Sequence, residues 1–231
     1  MEGSKLMFSF YTVFDSSELM IKTLQKSLEL FRLNFLLEPK TAIFSGKNNV
    51  HHIKGFDDSI ITSCNYLGLY LRSENEEYKI STNYYEGVKY ELNLGFVFYT
   101  SFIQDCLSNE KIITFFKQQI VLLTQLNSAN VHDVRSSGGL VYELYESFDF
   151  TGNNSDFTGF RWLNYLSPEE MALNGGKALY DLPYLTKAEQ LGEGIFIQVG
   201  ETPNDARTEE GQQQLFKATE AWWEMMQKKG G

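Results

Sequence analysis

Hydrophobic positions recur with a period of two in several stretches of this chain and with a period near 3.6 in others. Leu6 to Phe14, rich in Phe and Tyr, predicts a first strand. Asp15 with Glu18 three residues on has the spacing of a capping box. Met20, Leu24, Leu28, Phe31 and Phe35 then recur at helical intervals, with Lys22, Lys26, Glu29 and Arg32 between them. This predicts an amphipathic helix of about five turns, stopped by Pro39. From Lys40 to Asp58 the pattern weakens, and Gly46, Asn48, Asn49 and Gly55 mark loop. Ile60 to Arg72 is apolar enough for a buried strand. Past the acidic turn Glu74-Asn75-Glu76-Glu77, alternation over Tyr78, Ile80, Thr82 and Tyr84 and again over Val88, Tyr90, Leu92 and Leu94, about Glu86-Gly87, predicts a hairpin. Gly95 in mid-run predicts a bulge or bend before Phe96 to Phe102.

Ser108 or Asn109 can cap a second helix, whose buried side is Ile112, Phe115, Gln119 or Ile120, Leu123 and Leu126; Asn127 to Asn130 is expected to end it. Val131 to Arg135 reads as loop, Ser136 to Gly139 as a turn, and Leu140 to Phe148 as a strand followed by a polar loop over 149–158. Trp162 sits on a short apolar strand. Ser167 with Glu170 is a second capping box, Pro168 takes the first helical position, and Gly175-Gly176 ends that helix through a left-handed cap. Lys177 to Leu182 predicts a short turn before Pro183. Ile195, Ile197 and Val199 predict a strand between Gly194 and Gly200. Thr208 caps a final helix with Glu209 and Glu210 in its first turn and Lys228 and Lys229 in its last, an arrangement its dipole favours. Leu215, Ala218 or Thr219, Trp222 and Met226 form its buried stripe, with Trp223 one step round.

These elements predict an α+β fold: mainly antiparallel twisted sheet with amphipathic helices packed on one face. A chain of 231 residues, 42% apolar, buries a full core as one domain or as two closely packed halves of about 1–135 and 136–231. No apolar run reaches the roughly 18 residues of a membrane span, and the N-terminus lacks a small-residue cleavage site, so a strand and not a signal peptide is expected there. Cys64 and Cys106, 42 positions apart in apolar surroundings, read as buried free thiols of a reducing cytoplasm.

Charge sharpens the picture. Residues 1–142 hold 15 acidic and 13 basic side chains, a net of −2; residues 143–231 hold 15 acidic and 7 basic, a net of −8. Phosphates would be repelled, which disfavours nucleic acid, and a basic partner would be steered inward. Candidate chemistry is sparse. His51, His52, Asp57 and Asp58 lie in predicted loop, and adjacent His side chains diverge on extended backbone, which disfavours a metal site. His132-Asp133 lacks a Ser or Cys nucleophile motif. No phosphate-binding Gly motif or zinc spacing occurs. Catalytic, metal and cofactor sites are therefore not expected.

The C-terminal third carries an ordered series: Trp162-Leu163, then Gly175-Gly176, then Ile197-Gln198-Val199-Gly200-Glu201-Thr202-Pro203. In this it resembles the immunity proteins encoded beside type VI secretion effectors. It departs from that pattern at Val199, where a small residue is common, and at Asn204-Asp205, where a Gly-containing turn is expected. The resemblance implies a cytoplasmic, non-catalytic protein without a cofactor that binds a cognate antibacterial toxin and blocks it. It also implies that Trp162, Gly175, Gly176, Gly200 and Pro203 hold the fold together. The toxin-facing residues are then expected in the acidic half, Glu143, Glu146, Asp149, Asp156 and Glu201, with Glu74, Glu76 and Glu77 as a second patch. An adaptor or chaperone that carries an effector is the alternative. An enzyme of unfamiliar type, with Asp57 and Asp58 as its starting point, is a weaker third.

Overall fold

Every second side chain of the first strand, from Leu6 through Phe8, Phe10 and Thr12 to Phe14, is buried, and the residues between them are half-exposed. A strand that buries one face and wets the other needs helices on the buried face. The computed structural model describes residues 5–45, 50–54, 68–73, 77–86, 90–99, 108–123, 126–133, 157–205 and 208–230. Over these the fold is α+β. Contacts divide the chain into two compact units, Met1–Gly3 with Met7–Leu126 and Ser4–Leu6 with Asn127–Gly231.

The first unit contains β1 (Lys5–Phe14) from Met7 onward, α1 (Ser17–Phe35), β2 (Thr41–Ser45), β3 (Val50–Lys54), β4 (Gly68–Arg72), β5 (Tyr78–Glu86), β6 (Tyr90–Tyr99) and α2 (Asn109–Leu122). Its strands lie in the order β3-β2-β4-β5-β6-β1, and the β2–β3, β2–β4, β4–β5 and β5–β6 pairs are antiparallel. Phe8 and Phe10 of β1 and Phe96 and Phe98 of β6 meet Phe31 and Phe35 of α1 and Phe115 and Phe116 of α2 in edge-on and stacked contacts at 4.7–6.5 Å. Aromatic side chains of this size each bury roughly 150–250 Å².

The cap of α1 is Ser16 and not Asp15: Ser16 holds extended backbone and its Oγ accepts from Leu19 N–H at 3.2 Å. Glu18 pairs with Lys22 at 2.8 Å. The helix ends at Phe35, ahead of Pro39, because Leu36 turns left-handed (φ 56°) and its N–H donates to Arg32 O. The segment predicted as loop after Lys40 contains β2 and β3, with His51 and His52 on β3. β2 pairs with the distant β4 and forms a hairpin with β3, and no local alternation announces either strand. Gly95 makes no bulge: β5 and β6 pair without interruption from Tyr78↔Phe98 to Glu86↔Tyr90. A Cβ at Gly95 would lie 2.7 Å from Ser81 Oγ, which accounts for a glycine opposite Ser81.

The second unit contains β7 (Leu126–Asp133), β8 (Leu163–Leu166), α3 (Pro168–Leu173), a 3-10 helix (Gly176–Asp181), β9 (Lys187–Leu191), β10 (Gly194–Gln198) and α4 (Glu209–Gly230), with strand order β7-β8-β10-β9. β7 falls where helix end and loop were expected, and places His132 and Asp133 on a strand. α2 stops at Leu122, since Leu123 leaves helical geometry, and the chain from Ser128 to Val131 pairs antiparallel with β8. β9 has no clear alternation in Lys-Ala-Glu-Gln-Leu and was not anticipated; its register is set by the β9–β10 pairing across Gly192-Glu193. β8 and β10 are buried at every position, so neither shows alternation, and Asn164 and Gln198 are their buried polar side chains. One core gathers Phe157, Phe160, Leu166, Leu179, Ile195, Ile197, Val199, Leu215, Ala218 and Trp222.

Candidate functional site

The Ile197–Pro203 run builds the joint between β10 and α4. Gly200 takes φ 85°, open to glycine at little cost. Its N–H donates to Thr186 Oγ1 at 2.9 Å, and its carbonyl accepts from the buried Gln198 Nε2 at 2.9 Å. The turn closes on Asp205, whose carboxylate accepts from Glu201 N–H (2.7 Å), Thr202 N–H (3.0 Å) and Thr202 Oγ1 (2.7 Å). Burial opposes the Asp205 charge, but the Thr202 hydroxyl and the Thr202 and Glu201 N–H groups outweigh it and hold the carboxyl below its usual range. The departure at Asn204-Asp205 thus has a physical role: a carboxylate closes the turn that a glycine would have relaxed. Asp205 O then accepts from Thr208 N–H and Oγ1, and Thr208 Oγ1 accepts from Gly211 N–H, capping α4.

Beside this joint the chain makes an exposed ledge. Between the 3-10 helix and β9, Pro183 is followed by Tyr184 at φ 68°. A positive φ directly after Pro is the demand of a type II turn, normally met by Gly or Asn. Tyr184 carries its ring half into solvent, at 51% exposure. Gln214 Nε2 of α4 donates to its carbonyl at 2.9 Å and lies 3.5 Å from Thr186 Oγ1, the same hydroxyl that anchors Gly200. Lys217 Nζ stands 5.7 Å from the Tyr184 ring centroid, within cation–π range. Turn, joint and helix are thereby fixed to one another under an exposed aromatic ring. Composition gave no sign of this; the Pro183-Tyr184 pair was the available signal.

Of the acidic residues expected to face a partner, Glu143, Glu146, Asp149, Asp156, Glu74 and Glu76 lie outside the described residues. Glu201 is exposed on the joint. Glu77, half-exposed before β5 in the first unit, donates its N–H to Ser73 Oγ at 2.7 Å. Next to it the Tyr78 phenol is buried and has no hydrogen-bond partner among the described residues; burial, then the charges of Glu38 and Glu77, push its ionisation up against the pull of Arg32. Among the motif residues, Trp162 is buried and its carbonyl accepts from Val199 N–H; Gly175 (φ 116°) and Gly176 (φ 65°) carry the chain from α3 into the 3-10 helix; and Pro203 is buried in the joint.

A recess of ≈ 60 Å³ lies beside β7 and β8, lined in part by Ser128, Asn130, Thr158, Arg161 and Asn164. Asn164 is already engaged: Nδ2 donates to Arg161 O and Ile197 O, and Oδ1 accepts from Arg161 N–H. Among the described residues no three His, Cys, Asp or Glu side chains could share a metal ion, and no helix is long and apolar enough to cross a membrane. Cys64, Cys106, Asp57 and Asp58 lie outside the described residues.

No family profile and no curated protein matches the sequence. Among solved structures the fold is similar to that of the Pseudomonas aeruginosa T6SS protein PA0821, with a TM-score of 0.64 at 12% identity, over 95% of this chain and 73% of that one. At that identity the likeness establishes the shared α+β fold.

Proposed function

We propose that this chain works in type VI secretion as an immunity protein: it binds a cognate antibacterial effector and blocks it, without catalysis or cofactor. The observation that carries the reading is the likeness in fold to a T6SS protein across 95% of the chain. The C-terminal series Trp162-Leu163, Gly175-Gly176 and Ile197 to Pro203, and the net of −8 over residues 143–231, support it. On this reading Glu143, Glu146, Asp149, Asp156 and Glu201, with Glu74, Glu76 and Glu77, draw in and cover a basic effector surface.

The test is survival of a cell that expresses the effector gene adjacent to this chain's gene and has no secretion apparatus. Co-expression of this chain restores growth if it is an immunity protein. An adaptor would form a complex with the effector and leave the cell unprotected. Neither complex nor protection would remove both readings.

A further inference from the structure

We infer that Tyr184 is the anchor of the effector-binding surface, and that this surface takes a basic protein face; the inference rests on the immunity reading above. Among the described residues two that are not glycine have positive φ, Leu36 and Tyr184. Leu36 ends α1, where a left-handed residue is the ordinary way to stop a helix. Tyr184 follows no α-helix. It holds a turn position where Gly or Asn would be free of strain, and its ring is half in water, so burial does not account for its presence. Strain kept at an exposed aromatic is the signature of a side chain retained for contact.

The surroundings suit that role. The backbone carbonyl is tied to Gln214, and Gln214 and Gly200 share Thr186, so the ring is presented from a fixed base. Rigid aromatic side chains with few torsions bind at small entropic cost and dominate protein interfaces. Pro183 beside it is exposed too. Residues 181–220, which contain the whole ledge, hold 8 acidic and 3 basic side chains, a net of −5, and Glu201, Glu209 and Glu210 are exposed there. Lys217 stands at the ring, and the exposed Glu201, Glu209 and Glu210 outnumber it on the adjoining segments, so the net charge around this aromatic complements a cationic face with a pocket for one ring. The carboxylates set encounter rate and the ring sets residence time.

The probe is the purified, catalytically inactivated product of the adjacent effector gene, titrated against the full chain and its Tyr184→Asn and Tyr184→Phe variants, with melting followed in parallel. The expected result is a loss of affinity of about tenfold or more for Tyr184→Asn, with its Tm unchanged or raised, and near wild-type affinity for Tyr184→Phe. Wild-type affinity should fall with added salt. Wild-type binding with an unaffected Tyr184→Asn variant overturns the anchor and leaves the immunity reading standing. A Tyr184→Asn variant that loses Tm and affinity together makes the ring a structural element and also overturns it. No binding by the wild-type chain removes the immunity reading and the anchor with it.

Discussion

The indole N–H of Trp222 donates to the carbonyl of Asn174 at 3.2 Å, with both residues fully buried. One bond thus ties the middle of α4 to the end of α3, just before the glycine pair. The Asn174 amide in turn donates to Glu170 O at 2.8 Å, and the Trp222 ring meets Phe157 edge-on at 4.8 Å. Truncation at Trp222 removes packing and strands a buried carbonyl together. Trp222→Ala should cost about 3–5 kcal/mol and Trp222→Phe about 2 kcal/mol, read as a lower urea midpoint with unchanged slope.

The glycines separate by what a methyl would strike. At Gly194 a Cβ would run into Leu166 O and the Tyr165 ring, and at Gly211 into Asp205 O; both obstacles include backbone that cannot yield. At Gly175 it would meet the flexible end of Met225, and at Gly176 it would meet nothing. Gly176→Ala should therefore cost only the left-handed strain, about 1 kcal/mol. Gly194→Ala and Gly211→Ala should each cost about 3 kcal/mol or more, as backbone overpacking does. Thermal melts of the three variants rank them; equal shifts at Gly176 and Gly211 would contradict this.

The same glycines show where sequence reasoning reached and where it stopped. Gly175-Gly176 was legible because it follows a capped helix, and a helix end needs left-handed residues. Gly211 was invisible, since its constraint is the Asp205 carbonyl. Helix stripes such as Met20 to Phe35 and Leu215 to Trp222 follow from local period, and the structure buries Met20, Leu24, Leu28, Phe31, Phe35, Leu215, Ala218 and Trp222. β2 and β7 pair with strands far along the chain, and β3 and β9 are held by hairpin partners without an apolar alternation of their own, so polar segments such as Val50-His51-His52-Ile53-Lys54 read as loop. Tyr184 escaped notice for a related reason: its interest lies in a dihedral angle and an exposure, and composition records neither.

A buried polar pair crosses between the helices of the first unit. Ser27 Oγ of α1 donates to Gln119 Oε1 of α2 at 2.8 Å, and Gln119 Nε2 donates back to Ser27 O at 3.1 Å. Both side chains are inaccessible to water. Ser27→Ala leaves the Gln119 oxygen without this donor and should cost about 1–2 kcal/mol. Gln119→Leu leaves the Ser27 hydroxyl without this acceptor and should cost about as much. The double variant removes both side-chain polar groups and should cost less than the two single costs added, a coupling a double-mutant cycle reads directly. Additive losses would mean the pair acts only through packing.

Asp205 contributes to the acid sensitivity of the second unit. Its carboxyl titrates below its ordinary range in the folded chain, because Thr202 and Glu201 donate to the charged form. A depressed folded value means the carboxylate's contribution is fully present above the unfolded pKa of about 4, and is lost as pH falls through the lower folded value. The group is partly solvated, so screening reduces what the shift alone is worth; the loss of its charge-assisted bonds should amount to about 1–2 kcal/mol. Asp205→Asn keeps the shape but removes one acceptor from the turn, so it should lower stability at pH 7 by about that amount. Between about pH 5 and pH 2 the wild-type chain should lose more stability than the variant, bringing the two curves together at the acid end. Urea titrations across this range, with Trp fluorescence as the signal, measure the gap. A gap that stays constant with pH would show that the turn is held by shape and not by the carboxylate charge.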